Sequence, residues 1–243
     1  MFAIETKNLS KHFGGVYAVD RLSVSVGKGA ITSIVGPNGS GKTTLTHLLS
    51  GVLPWDEGTV IFGGKELKRL APHAGRELGV ARTFQHVRLF EQMSVYENLT
   101  LVLAKRTVLA SIFEQKGSGL QDRAKELLLR VGLWEKRDAP AGELSYGQRK
   151  LLEVARVLGA RARIILFDEP FAGLFPGMVE MLCDVMREMR GSGCSVVLIE
   201  HNMKIIRELS DEVFVMDAGK LLACGKPAEV LARKDVREAY LGV

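Results

Sequence analysis

Gly36-Pro-Asn-Gly-Ser-Gly-Lys-Thr43 is the stretch of this 243-residue chain whose residue types and spacing point most directly to chemistry. It fits the pattern G-x-x-x-x-G-K-[ST] at every fixed position, a much tighter specification than a lone glycine turn. Gly36, Gly39 and Gly41 admit backbone conformations closed to larger residues, so successive N–H groups can converge on one concavity. A polyphosphate there meets those donors, the positive end of a helix beginning near Gly41, and the Lys42 ammonium. The Thr43 hydroxyl is suited to Mg²⁺. Alone, the stretch says only that a nucleoside triphosphate is bound.

Three further groups of residues stand where such a ligand would be worked on. Asp168 and Glu169 end the apolar run Ile164 to Phe167, at the carboxyl end of a predicted central strand, which is where open α/β sheets bind ligands. His201 follows the β-rich run Ser195 to Glu200 and takes the same kind of position. Ser145-Tyr-Gly-Gln148 has the S-x-x-Q form of a capping box, so Ser145 should open a helix whose free N–H groups make a second anion site. His12, His47, His73 and His86 match no ligand spacing.

The order of these elements, with Leu144-Ser-Tyr-Gly-Gln148 shortly before Ile164-Ile-Leu-Phe-Asp-Glu169 and the glycine loop upstream, makes the chain resemble the ATP-binding cassette family. The resemblance implies an ATPase that binds ATP and Mg²⁺. Its nucleotide-binding set is Gly36, Pro37, Asn38, Gly39, Ser40, Gly41, Lys42, Thr43 and Thr44. By the same resemblance Thr43, Asp168 and Gln85 serve the metal, Glu169 is the general base, and His201 is the switch histidine that contacts the γ-phosphate. Gln85 follows Val80-Ala-Arg-Thr-Phe84 and opens onto a helical subdomain. Phe13, in Lys11-His-Phe-Gly14, takes the place of the aromatic that stacks on adenine, ahead of Tyr17. In this family two cassettes pack head to tail, so Ser145, Gly147 and Gln148 of one copy act on the nucleotide held by the other. Function then requires a second cassette, the same chain or a paralogue. One segment departs from the family pattern: Phe175 stands where a polar residue usually precedes the proline, which puts that cross-dimer contact in doubt.

Ala81-Arg-Thr-Phe-Gln85, Arg88-Leu-Phe90, Leu144-Ser-Tyr-Gly-Gln-Arg-Lys150 and Ala239-Tyr-Leu-Gly242 are, more narrowly, similar to the ATPase subunit of branched-chain amino acid importers. This implies permease subunits in the membrane, a solute-binding protein acting indirectly, and a cytoplasmic location on the inner face of the membrane. Importers of urea or short amides are built on the same plan. A soluble cassette ATPase acting on nucleic acid or ribosomes is the rival of another class, but such proteins generally insert long coiled coils or join two cassettes, and neither is present. A regulatory subunit without turnover is disfavoured by Glu169 and His201.

Positioning these groups calls for an α/β fold: a P-loop NTPase-type core with a mainly parallel sheet, an antiparallel β segment and an inserted helical subdomain. Residues 1–243 suffice for one such domain. Strands alternate with helices up to about Gly63, with antiparallel segments such as Leu22 to Val26. Strand signals vanish from about Phe90 to Leu144, which delimits the subdomain at 90–144. Ser94-Val-Tyr-Glu97 is a capping box opening a helix, Gly117-Ser-Gly119 breaks it, and Gln121 to Val131 is a second helix. Methionines from Met178 to Met189 repeat at helical spacing and read as core. The tail after Gly225 reads as short helices.

The amino end has no basic segment followed by an apolar stretch, so no secretory signal is expected. The apolar neighbourhood Leu99 to Phe113 is interrupted by Lys105 and Arg106, short of the roughly 20 residues that span a bilayer, and the chain should be soluble by itself. Cys183, Cys194 and Cys224 lack ligand spacing and read as reduced thiols in the core. The net charge of +5 is scattered, without an aromatic ladder, so no nucleic-acid partner is expected.

Overall fold

The computed structural model describes residues 1–71, 74–83, 87–104 and 118–241. They fall into two compact units: Met1–Arg82, Ala162–Pro170 and Cys183–Val243 form the first, and Thr83–Arg161 with Phe171–Leu182 form the second.

The first unit holds two sheets. The antiparallel one contains β1 (Phe2–Phe13), β2 (Val16–Leu22), β3 (Ser25–Gly27), β5 (Glu57–Phe62) and β6 (Lys65–Leu67), in the order β2-β1-β5-β6 with β3 also paired to β1. The other contains β4 (Ile31–Val35), β7 (Val80–Arg82), β8 (Ile164–Asp168), β9 (Ser195–Ile199), β10 (Glu212–Asp217) and β11 (Lys220–Gly225), in the order β11-β10-β4-β9-β8-β7. Only the β10–β11 pair in it is antiparallel. All residues of β4, β8 and β9 are buried, as strands covered on both faces require, and their β-branched and large apolar side chains suit that setting. Register aligns the ends of the central strands. Ile34 of β4 and Asp168 of β8 both lie opposite Ile199 of β9, so the three carboxyl ends emerge side by side.

Helix α1 (Lys42–Leu49) follows β4, and α2 (Ala74–Glu77) precedes β7. Helices α7 (Met203–Leu209), α8 (Pro227–Val230) and α9 (Lys234–Leu241) complete the first unit, and the last two agree with the helical reading of the tail. The expected alternation of strands and helices before Gly63 is corrected: α1 is the one helix in that stretch, and β4 is the only strand there belonging to the parallel sheet. The neighbours of β4 come from much later in the chain, so no local strand–helix rhythm records them.

No strand occurs among the described residues of the second unit. It contains α3 (Val95–Leu103), α4 (Ser118–Arg130), α5 (Tyr146–Gly159) and the beginning of α6 (Pro176–Gly191). Val95, Leu99, Ala124, Leu127, Leu128, Leu151, Leu152 and Ala155 form its core, at the spacings that place one stripe of each helix inward. Ser94 caps α3 through the Glu97 N–H at 3.1 Å, while Glu97 accepts the Ser94 N–H at 2.8 Å. Helix α4 starts at Ser118, so Gly119 lies in its first turn rather than outside it. Met178 and Met181 pack against this core and Met186 and Met189 are buried in the first unit, in keeping with a packing role.

The thiols divide differently from expectation. Cys183 and Cys194 are buried, but Cys224 is exposed on β11, the edge strand of the parallel sheet. Burial pushes the Cys194 thiol up to about 11, which leaves very little reactive thiolate near neutral pH. With iodoacetamide at pH 8, Cys224 is expected to alkylate first and Cys194 only after denaturation. Peptide mass spectrometry over a time course checks this; native labelling of Cys194 as fast as Cys224 would contradict the packing around β9.

Candidate active site

The glycine loop is shaped by close approaches of backbone. Gly36 has φ +151°, and a Cβ there would fall inside contact distance of the Met216 carbonyl oxygen. Gly41, at φ +100°, would meet the Ala18 carbonyl in the same way. Larger residues at either position would push the loop off the strands beside it. Gly41 is also the N-cap of α1 and supplies no side-chain cap, so the first-turn N–H groups of that helix are left to an anion.

Lys42, the first residue of α1, is 6% exposed. Its Nζ donates to the carbonyl oxygens of Gly36 and Pro37, each at 2.8 Å, and to Ser40 Oγ at 3.4 Å. Burial lowers its pKa, opposed by the negative charges of Glu169 and Asp168. The ammonium is thus held inside the loop, against neutral acceptors that phosphate oxygens can replace, and within the field of both carboxylates. Thr43 is exposed, Thr44 and Pro37 half-buried, Asn38 and Gly39 exposed and Ser40 buried.

Asp168 closes β8 and is 2% exposed. Its Oδ2 accepts from Arg82 Nη2 at 2.8 Å. Glu169 turns out of the strand with φ +47°, a left-handed conformation that is strained for a residue with a side chain. Its N–H donates to the Ile199 carbonyl at 3.0 Å, which ties that turn to β9. The turn brings Glu169 Oε1 to 3.0 Å from His201 Nε2. His201 is itself held from behind: Glu200 Oε1 accepts the N–H groups of His201 and Asn202, both at 3.1 Å, and Asn202 caps α7 through the Lys204 N–H at 3.0 Å. Burial raises the pKa of Glu200, against the pull of those two backbone donors. Two carboxylates, one of them buried, an imidazole and a buried ammonium therefore stand at the carboxyl ends of the central strands, a set suited to activating water beside a phosphate.

Sequence reasoning missed two residues of this site. Arg82 and Glu200 are charged residues next to buried strands, and that conflict with their surroundings was the available signal.

Phe13 lies at the end of β1, 51% exposed, with Lys11 Nζ 5.5 Å from the ring centroid. Tyr17 meets His12 edge-on with centroids 5.7 Å apart. Gln85 lies outside the described residues. Ser145, Gly147 and Gln148 belong to the second unit, where Ser145 caps α5: its Oγ accepts the Gln148 N–H at 3.3 Å and Gln148 Oε1 accepts the Ser145 N–H at 3.1 Å. Gly147 has little room, since a Cβ there would stand 3.0 Å from Met178 Sδ. Phe175 is 72% exposed.

The family described as ABC transporter matches residues 19–172, and the family described as branched-chain amino acid ATP-binding cassette transporter matches residues 220–243. The chain is 38% identical to a probable branched-chain amino acid transport ATP-binding protein, LivG, of Archaeoglobus fulgidus, covering 100% of this chain and 96% of that one. It is 35% identical to the lipopolysaccharide export system ATP-binding protein LptB of Escherichia coli, with 100% and 98% covered. A crystal structure of the ADP conformation of an ATP-binding cassette of an ABC transporter superposes with a TM-score of 0.86, at 35% identity and 100% coverage of both chains.

Proposed function

The chain belongs to the ABC transporter ATP-binding family, and from that premise we propose that it powers uptake of branched-chain or other hydrophobic amino acids through a membrane permease. It is an ATPase with the α/β P-loop fold. The observation that carries the choice of cargo is the carboxy-terminal match over residues 220–243 to the branched-chain amino acid cassette family. Identity over the whole length does not separate import from lipopolysaccharide export, since the LivG and LptB relatives stand at 38% and 35%.

In the proposed mechanism the phosphate loop, from Gly36 to Thr44, holds the triphosphate with backbone N–H groups and the Lys42 ammonium, and Phe13 stacks on the adenine. Thr43, Asp168 and Gln85 would hold Mg²⁺, and their hydroxyl, carboxylate and amide oxygens are the hard donors it prefers. Held by these residues, the cation would supply charge neutralisation to the bound triphosphate. Glu169 draws a proton from the attacking water, and His201, 3.0 Å from Glu169, orients that carboxylate and meets the γ-phosphate.

Ser145 and Gly147 of a second cassette cover the γ-phosphate from the far side, with Gln148 fixing the Ser145 turn. Residues 1–243 then make one cassette domain with a helical subdomain at about 90–144, which together with Gln85 docks on the permease. No helix among the described residues is long and apolar enough to cross a membrane. The permease is what would hold the chain at the inner face of the membrane.

Uptake of labelled leucine, isoleucine and valine tests this reading. Cells lacking the chain should lose it and regain it with the wild-type gene, while urea uptake stays unchanged. Leu101 is 47% exposed on α3, and Leu101→Glu should reduce uptake by ~10-fold or more, as loss of a docking contact does, while basal ATPase activity and melting temperature stay near wild type. Glu91 and Glu97 are poorer probes of the surface, because Glu91 pairs with Arg149 at 3.2 Å and Glu97 closes the α3 capping box. Normal amino acid uptake without the chain would refute the proposed cargo.

A further inference from the structure

Arg82 ends both β7 and the first stretch of the first unit, in parallel register with Leu166 of β8. Its side chain is 5% exposed and reaches Asp168, whose side chain is 2% exposed, at 2.8 Å. Its other terminal nitrogen donates to Ser50 Oγ at 3.2 Å. Ser50 is the C-cap of α1, the helix that begins at Lys42, and its hydroxyl donates back to the Thr46 carbonyl at 2.6 Å. One guanidinium therefore joins the strand end that carries Asp168 to the far end of the phosphate-loop helix, where a cation also suits the helix dipole.

A carboxylate buried to this degree needs a counter-charge, and the chain supplies one whether or not a divalent cation is bound. The planar fork of Arg82 also limits the rotamers open to Asp168 in a way a flexible ammonium would not. We propose that Arg82 is the positioning residue of the metal-binding carboxylate, a resident counter-ion that sets the orientation of Asp168 and moderates its hold on the cation. This rests on the reading that Asp168 serves Mg²⁺. Removing Arg82 should have two separable effects: a buried carboxylate loses its guanidinium partner at 2.8 Å, and the Lys42 ammonium and any divalent cation remain as the positive charges acting on Asp168.

Arg82→Met, Arg82→Lys, Asp168→Asn and the double variant Arg82→Met/Asp168→Asn test the idea, with melting in EDTA and ADP affinity measured with Mg²⁺ and with EDTA. Arg82→Met should melt ~6 °C or more below wild type, the scale expected for half of a broken buried ion pair. The double variant should recover most of that loss, because the orphaned charge is gone. The ratio of ADP affinities with and without Mg²⁺ should rise about threefold or more in Arg82→Met, a modest electrostatic effect. Arg82→Lys should lie between, and Asp168→Asn should remove the Mg²⁺ effect. If Arg82→Met does not fold, the lysine variant carries the same comparison. An unchanged Mg²⁺ ratio in Arg82→Met and Arg82→Lys, while Asp168→Asn still abolishes the Mg²⁺ effect, would overturn the proposal. A stability loss that persists in the double variant would also overturn it. An Asp168→Asn variant that retains the full Mg²⁺ effect would refute the metal role of Asp168 instead.

Discussion

Glu169→Gln is expected to bind ATP with near-normal affinity and hydrolyse it at least ~10²-fold more slowly than wild type, the usual worth of a general base. Glutamine retains the shape of the side chain and can still hydrogen-bond the His201 ring, which lies 3.0 Å from Glu169 Oε1. What it lacks is the negative charge that takes the proton. The left-handed backbone at residue 169 is as demanding for glutamine as for glutamate, so the fold should tolerate the exchange with little change in melting temperature. Under the head-to-tail arrangement, ATP and Mg²⁺ should then accumulate a closed dimer. Size-exclusion chromatography with light scattering reads this, using the chain alone and mixed with a paralogous cassette. Wild-type turnover in the variant would remove Glu169 from the mechanism.

Lys42→Ala should lose turnover by ~10²-fold to 10³-fold or more, the range seen when one preorganised charge-stabilising donor is removed. ATP affinity should fall as well, since a charge-assisted contact to phosphate goes with it. The structure adds a control. Lys42 is buried and donates to Gly36, Pro37 and Ser40, so its removal takes a donor from three acceptors inside the loop, at a cost of about 1–3 kcal/mol where a buried acceptor is left unmet. The desolvation that lowers the Lys42 pKa is relieved at the same time, which offsets part of that loss. A melting temperature lowered by no more than about 2–4 °C per kcal/mol of that residual loss, with turnover down by ~10²-fold or more, is the expected combination. Near-normal hydrolysis in the purified variant would exclude the loop from catalysis.

What the sequence made legible was local and periodic. The glycine pattern from Gly36 to Thr43 and the two capping boxes at Ser94 and Ser145 are each written within eight consecutive positions, and local hydrogen bonding between side chains and backbone sets the two boxes. The carboxyl-end positions of Asp168 and His201 followed from apolar runs that end in polar residues. A charged residue ending the short strand β7 was the one mark Arg82 left in the sequence; its partner Asp168 comes within reach only through the pairing of β7 with β8, which a single strand does not record. Glu200 stood in plain view beside His201, but its task of accepting two backbone N–H groups depends on a turn with no repeating pattern. Exposure of Cys224 depended on β11 being an edge strand, which only the order of the sheet reveals.

That order of strands also sets a timetable for the nascent chain. The strand leading into the phosphate loop, β4, is complete at Val35, yet its two neighbours are β9, ending at Ile199, and β10, ending at Asp217. A growing chain therefore carries the whole glycine pattern through most of its synthesis without the strands that hold it. Such distant pairings slow folding, although the closure entropy itself rises only about 0.6 kcal/mol for each doubling of the loop. Ile34 cannot be flanked on both sides, by Ile199 of β9 and Phe214 of β10, before Asp168, Glu169 and His201 have been made, because all three precede β10 in the chain. The strand pairs beside the phosphate loop thus close only after the chain has made every residue that stands at the carboxyl ends of β8 and β9.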